Sequence, residues 1–100
     1  MHARIGTVQM TPETFEQGVK IIETQALPSL RLMEGFKGAL ILADEEAAKA
    51  LFLSLWESEE AMRKSETEVA VLREDSADAL GVGGIPVERF DVRLIEIEDG

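Results

Sequence analysis

The sequence predicts one α+β domain in which two helices cover one face of a four-stranded antiparallel sheet. Three observations predict it. One long helical periodicity runs through residues 15–33, strand-length apolar runs flank it, and the elements follow the order β-α-β-β-α-β. That order is the split arrangement known as ferredoxin-like, and 100 residues make a single domain spanning 1–100.

Residues 2–10 read as the first strand, with Ile5, Thr7 and Val8 supplying β-branched content. Thr11-Pro12-Glu13 stops it, offering an N-cap hydroxyl, a proline at the first helical position and an acid in the first turn. Met10 and Phe15 hold the positions of a hydrophobic staple. Phe15, Val19, Ile22, Ala26, Leu30 and Met33 then share one helical face. Pro28 lies inside this pattern, removing a backbone donor and crowding the carbonyl of Thr24, so a kink or break is expected near Ala26–Leu27. Gly35 ends the segment. Phe36–Ala43 and Ala48–Glu57 read as a hairpin joined by Asp44-Glu45-Glu46-Ala47. Ser58 caps the second helix, and Glu59 and Glu60 favour its dipole. Met62, Ser65, Val69 and Leu72 share a face of that helix, and Glu74-Asp75-Ser76 is expected to interrupt it. Gly81-Val82-Gly83-Gly84 with Ile85-Pro86 reads as a loop, and Val87–Glu98 as the last strand.

Composition narrows the chemistry. Apolar residues form 45% of the chain and charged residues 30%, a globular balance. No cysteine is present, which removes disulfides, thiolate catalysis and cysteine-held zinc or iron–sulfur sites. The net charge is −10, and of the basic residues only Arg63-Lys64 are adjacent. Such a surface repels nucleic acid and anionic lipid, so neither partner is expected. The longest strictly apolar run, Ala39–Ala43, falls far short of the ~20 residues of a membrane span, and no signal-peptide pattern follows Met1-His2-Ala3-Arg4. A cytoplasmic protein is expected.

The strands carry more apolar surface than two helices can cover. Along the third strand, Ala50, Phe52, Ser54 and Trp56 point one way, while Leu51, Leu53 and Leu55 point the other. The second strand is apolar on both faces from Ala39 to Ala43. Each large aliphatic side chain left in water forfeits roughly 1.5–3 kcal/mol. A second copy of the chain is the expected cover, with Leu51, Leu53 and Leu55 at the dimer interface.

Two stretches carry a resemblance. Leu30-Arg31-Leu32-Met33-Glu34-Gly35-Phe36-Lys37-Gly38 precedes an apolar strand, and Leu53-Ser54-Leu55-Trp56-Glu57-Ser58-Glu59-Glu60-Ala61 links the third strand to the second helix. They resemble the Gly-Phe-x-Gly turn and the Trp-x-Ser-x-Glu-Ala stretch of the dimeric α+β barrel superfamily, in its antibiotic-biosynthesis-monooxygenase-like branch. Glu34 departs from the proline of many relatives. The resemblance implies a barrel made of two sheets. It also implies one of several activities: a cofactor-independent monooxygenase acting on a polycyclic dihydroquinone-type substrate, a haem degrader, or no catalysis. Haem degraders of this branch need an asparagine on the first strand and a ligating histidine on the second helix. Here the strand offers Gly6 and the helix has no histidine; the sole histidine, His2, sits at an end expected to fray. Haem degradation is therefore not expected.

The candidate pocket residues are Trp56, Ser54 and Phe52. Trp56 serves either as a wall and N–H donor for a flat aromatic ligand or as core. Ser54 either bonds a ligand or is satisfied by backbone. Arg89, Asp91 and Arg93 alternate on the last strand beside Arg4. They form either a charged cluster for an anionic substrate or an ion-pair ladder at a sheet edge or dimer rim. Asp44, Glu45 and Glu46 read as a solvated turn rather than a metal site, and the Gly81–Gly84 run lacks the Lys-Ser/Thr of a phosphate loop. With no Cys, Tyr or internal His, nucleophilic triads are absent. No cofactor or metal is expected. An oxygenase whose substrate supplies the electrons would need an apolar pocket and one proton acceptor, for which Asp91 is the candidate. The alternative is a non-catalytic homodimeric module, or one that binds an apolar metabolite.

Overall fold

The computed structural model describes residues 1–80 and 85–98. The elements are β1 (His2–Gln9), α1 (Phe15–Ile21), a π-helical turn (Ile22–Ala26), α2 (Leu27–Arg31), β2 (Phe36–Asp44), β3 (Lys49–Trp56), α3 (Glu59–Leu80) and β4 (Val87–Asp91). The strands pair antiparallel in the order β2-β3-β1-β4, and the helices pack on one face. The fold is the expected ferredoxin-like α+β arrangement.

Local physics explains where the elements begin and end. Thr11 does not cap α1. Its hydroxyl and amide both bond the Thr14 hydroxyl, at 3.0 and 3.1 Å, closing a turn over residues 11–14 that delays the helix to Phe15. Met10 and Phe15 nevertheless bury together in one core cluster, as a staple should. Pro28 has no N–H, and one turn earlier the helix widens. The Leu27 amide reaches back five residues to the Ile22 carbonyl, a π-type bond, and the chain resumes as α2 with the proline in its first turn. Gly35 then takes φ +83°, and a Cβ there would stand 2.5 Å from the Ala61 Cβ. Its carbonyl accepts the Glu57 amide at 2.7 Å, tying the turn to the end of β3. Lys37 forms a bulge, since Phe36 pairs with Trp56 and Gly38 with Leu55.

Ser58 caps α3 as expected, its hydroxyl accepting the Ala61 amide at 3.1 Å. Two expectations need correction. First, α3 runs unbroken to Leu80 through Glu74-Asp75-Ser76, because residues of that kind cost only a few tenths of a kcal/mol each inside a helix. Second, β4 ends at Asp91, not Glu98. Val92 still donates to the Met1 carbonyl at 3.0 Å, and there the partner strand runs out. The Leu72 side chain and the Gly81–Gly84 loop lie outside the described residues.

The sheet's two faces divide as their alternation requires. Val8, Ala50, Ser54 and Trp56 are buried beneath the helices. On the other face, cross-strand neighbours bring Leu40, Leu53 and Ile5 into one row, Leu42, Leu51 and Thr7 into a second, and Leu55, Ala3 and Phe90 into a third. Leu40, Leu42 and Phe90 are 47–51% exposed, while Leu51, Leu53 and Leu55 in the middle strand are half-buried by their neighbours. Beyond β4, Leu94 and Ile97 are 83% and 76% exposed. Among the described residues no helix is long and apolar enough to cross a membrane.

Candidate functional site

Between sheet and helices lies a cavity of about 60 Å³. β1 contributes Arg4, Gly6 and Val8, β3 contributes Phe52 and Ser54, and β4 contributes Val87. Ile22 and Ala26 come from the π-helical turn, Val69 and Arg73 from α3, and Ile85 from the segment before β4. The lining is mostly aliphatic, with Arg4, Ser54 and Arg73 as its polar members. Gly6 keeps the space open: among the described residues a Cβ there would meet only the Ile85 Cγ2, at 3.5 Å.

Arg4 is the best-held group of the site, with 3% of its surface exposed. Nη1 donates to the Met62 carbonyl at 3.4 Å and Nη2 to the Ser65 hydroxyl at 3.1 Å. Its guanidinium lies 5.1 Å from the centroid of the Trp56 ring, a cation–π contact. Directly across the sheet stands Arg89, a like charge that would repel it. Glu66 of α3 reconciles the two. It accepts both Nε and Nη2 of Arg89, at 2.7 and 2.9 Å, and lies 3.3 Å from Arg4 Nη1. Arg73 Nη2 is 3.8 Å from the same carboxylate; that buried nitrogen has no hydrogen-bond partner among the described residues.

One carboxylate thus serves three guanidinium groups. The hydrogen bond from Arg89 holds the Glu66 carboxyl below its ordinary range, assisted by the charge of Arg4. Burial lowers the pKa of Arg4 and of Arg73, with Glu66 opposing both shifts. A carboxyl whose folded pKa is depressed stabilises the fold above its unfolded value and loses that contribution as pH falls through the folded one. Glu66→Gln should therefore cost about 1.5–3 kcal/mol at neutral pH, the range for hydrogen bonds to charged groups. Urea titrations from pH 7 downward should show the gap to wild type closing below the ordinary glutamate value of 4.5. A gap that stays constant into acid would remove Glu66 from this role.

Ser54 and Phe52 line the cavity. Trp56, read from the sequence as either a pocket wall or core, is fully buried and is not among the described lining residues. Leu30 and Met62 cover it, and Phe36 meets it edge-on at 5.6 Å. Its Nε1 donates to the Ser54 hydroxyl at 2.9 Å, so it bears on the cavity through Ser54. Asp91 sits two cross-strand pairs beyond Arg89, opposite His2, 57% exposed and outside the lining. Strand alternation puts it on the right face but at the wrong end for contact with a molecule in the cavity. Arg93 lies past the end of β4, 4.0 Å from Asp91. His2 is not frayed: it opens β1, half-buried, with Glu59 and Asp91 each 3.8 Å away. Asp44 accepts the Ala47 amide at 3.2 Å, the turn role expected of it.

Arg73 and Glu66 were not anticipated from the sequence. The available signal was an arginine four residues after Val69, on an otherwise apolar helical face, with a glutamate two turns before it.

No protein-family model matches the chain. It is 30% identical over 95 residues to the uncharacterized protein Rv2558 of Mycobacterium tuberculosis, a match covering 95% of this chain. The chain spans about 40% of that relative's length. Among solved structures, it is similar to the monooxygenase from the gene ActVA-Orf6 of Streptomyces coelicolor in complex with nanaomycin D. There the TM-score is 0.77 at 21% identity, covering 98% of this chain and 92% of that one. It is similar to SnoaB, a cofactor-independent oxygenase from Streptomyces nogalater, with TM-score 0.64, 18% identity, and 97% and 95% of the two chains covered. It is also similar to the haem degrader MhuD of Mycobacterium tuberculosis, with two haems bound in its active site, at TM-score 0.72 and 18% identity, with 96% and 99% covered. Likeness at 18–21% identity establishes the fold. The chain shares the ferredoxin-like α+β fold of these solved structures.

Proposed function

We propose that the protein is a homodimeric oxygenase of the cofactor-independent kind, acting on a small aromatic or polyketide-like molecule between sheet and helices. The observation that carries this reading is the aliphatic cavity with a buried guanidinium and a serine hydroxyl at its polar end. In such a reaction a phenolic ring and dioxygen give a quinone and one water. One oxygen atom enters the ring, the other leaves as water, and the substrate supplies all four electrons. The chain's part is to orient the ring, exclude water and stabilise developing negative charge. Among the described residues no carboxylate lines the cavity. The test is dioxygen uptake with phenols and dihydroquinones in the absence of flavin and metal, with labelled oxygen traced into the product.

The narrowness of the cavity favours a second reading, a homodimeric module that binds a small apolar molecule without turning it over. About 60 Å³ is less than the ~150 Å³ in which an aliphatic cavity accommodates benzene, so a ring must displace part of the lining. Saturable binding without uptake would select this reading.

Both readings are dimeric in our proposal. On the open sheet face Ile5, Leu40, Leu42, Leu51, Leu53, Leu55 and Phe90 form an apolar patch whose rows also hold Thr7 and Glu88, and beyond β4 Leu94 and Ile97 are exposed as well. Patches of this kind mark interaction surfaces. Gel filtration with light scattering should return about twice the chain mass of 11.0 kDa. Leu53, between Leu40 and Ile5, occupies the middle of the patch. Leu53→Glu should halve that mass while leaving the circular dichroism spectrum intact, because an unpaired carboxylate at such a contact costs about 3–5 kcal/mol. A wild-type monomer at micromolar concentration would contradict the dimer.

A further inference from the structure

A ring enters a space of about 60 Å³ only if one wall of the cavity yields. The sheet, α3 and the segment before β4 are tied to one another. Arg4 of β1 holds α3 through the Met62 carbonyl and the Ser65 hydroxyl, and Glu66 of α3 holds Arg89 of β4. Strand pairing joins β1 to β3 and β4, and the Pro86 carbonyl accepts the Thr7 amide at 3.0 Å. The π-helical turn that supplies Ile22 and Ala26 is held differently. Among the described residues, the hydrogen bonds of residues 22–27 stay within their own helix, such as Leu27 amide to Ile22 carbonyl and Thr24 hydroxyl to Lys20 carbonyl. Apolar packing, in one core cluster with Val8 and Ala50, is what keeps this wall on the sheet.

A backbone bond to the fifth residue back encloses one residue more than an α-helical bond does. Phe15 before the turn and Leu30 after it are buried in the core, so this surplus residue is trapped between fixed ends. It can still travel, because the Leu27 amide can pass from the Ile22 carbonyl to that of Glu23, one bond replacing another. Pro28 blocks travel in the other direction, having no amide to hand on. Each step turns the side chains of the turn relative to the sheet. We infer that the turn Ile22–Ala26 is the yielding wall of the cavity, moving its surplus residue toward α1 to admit a ring. The inference deepens the ligand-binding readings above and rests on the cavity being a ligand site. It makes this turn, rather than the sheet or α3, the element that sets which rings enter.

Hydrogen exchange and ring binding test this on the full chain. In the free protein the Leu27 amide should exchange at least about a hundredfold faster than that of Val69, the lining residue on α3. Indole, a neutral ring too large for the cavity as it stands, is the probe. At saturation it should slow exchange at Leu27 at least about tenfold and change Val69 by less than about twofold. Gln25 is exposed, so a variant that lacks it and carries Pro28→Ala loses the surplus residue and regains the missing amide without touching the lining. Its helix should run regular, with a melting temperature at least that of wild type, and it should bind indole at least about tenfold more weakly. If that variant does not fold, the exchange comparison in wild type decides alone. Indole binding as tight as wild type in the variant, or a Leu27 amide exchanging as slowly as that of Val69, would overturn the yielding wall while leaving the cavity as a ligand site. Failure of wild type to bind indole would overturn both.

Discussion

Trp56→Ala should destabilise the folded protein by about 3–5 kcal/mol, the range for deleting a large aromatic side chain from a core. The indole is fully buried among Leu30, Met62 and Phe36, and three polar and aromatic contacts go with it. The Ser54 hydroxyl loses the donor at 2.9 Å, Arg4 loses the ring beneath its guanidinium, and Phe36 loses its edge-on partner. For a domain of this size the melting temperature should fall by roughly 15 °C or more, compared at equal protein concentration because dimerisation couples to folding. Trp56→Phe keeps a ring and should cost only about 1–2 kcal/mol, from lost area and the lost N–H. A Trp56→Ala variant within about 1 kcal/mol of wild type would show that the indole is a replaceable wall and not a keystone between sheet and α3.

Much of this arrangement was legible in the sequence because strand alternation is a strict two-residue period. Once Leu51, Leu53 and Leu55 are placed on one face, Phe52, Ser54 and Trp56 must share the other, and the register bears that out. Pro28 announced a break in the first helix by chemistry alone, though not that a π-type bond would absorb it. The length of β4 was not legible: Phe90, Val92 and Leu94 alternate with charged residues past its observed end, but a strand lasts only as long as its neighbour, and β1 starts at His2. The ion cluster was half legible. Arg4 and Arg89 stand out as inward-facing charges on paired strands, whereas Glu66 and Arg73 reach the same point from α3. Only the packing of that helix across the sheet puts four residues so distant in the chain together.

The most direct test of the functional account is dioxygen uptake by wild type and Gly6→Val, side by side. Gly6 lies on β1 facing the cavity, and its missing side chain is what leaves the space there. Valine favours the strand over glycine by up to ~1 kcal/mol and finds ordinary contact with Ile85, so the variant should be at least as stable as wild type. Its three added carbons occupy much of the ~60 Å³ in which the ring must sit. The account predicts flavin- and metal-free uptake by wild type with some member of a phenol and dihydroquinone panel, and at least about a tenfold loss in Gly6→Val. Full turnover by a folded Gly6→Val protein would place the chemistry elsewhere, and no uptake by wild type across the panel would contradict the oxygenase reading itself.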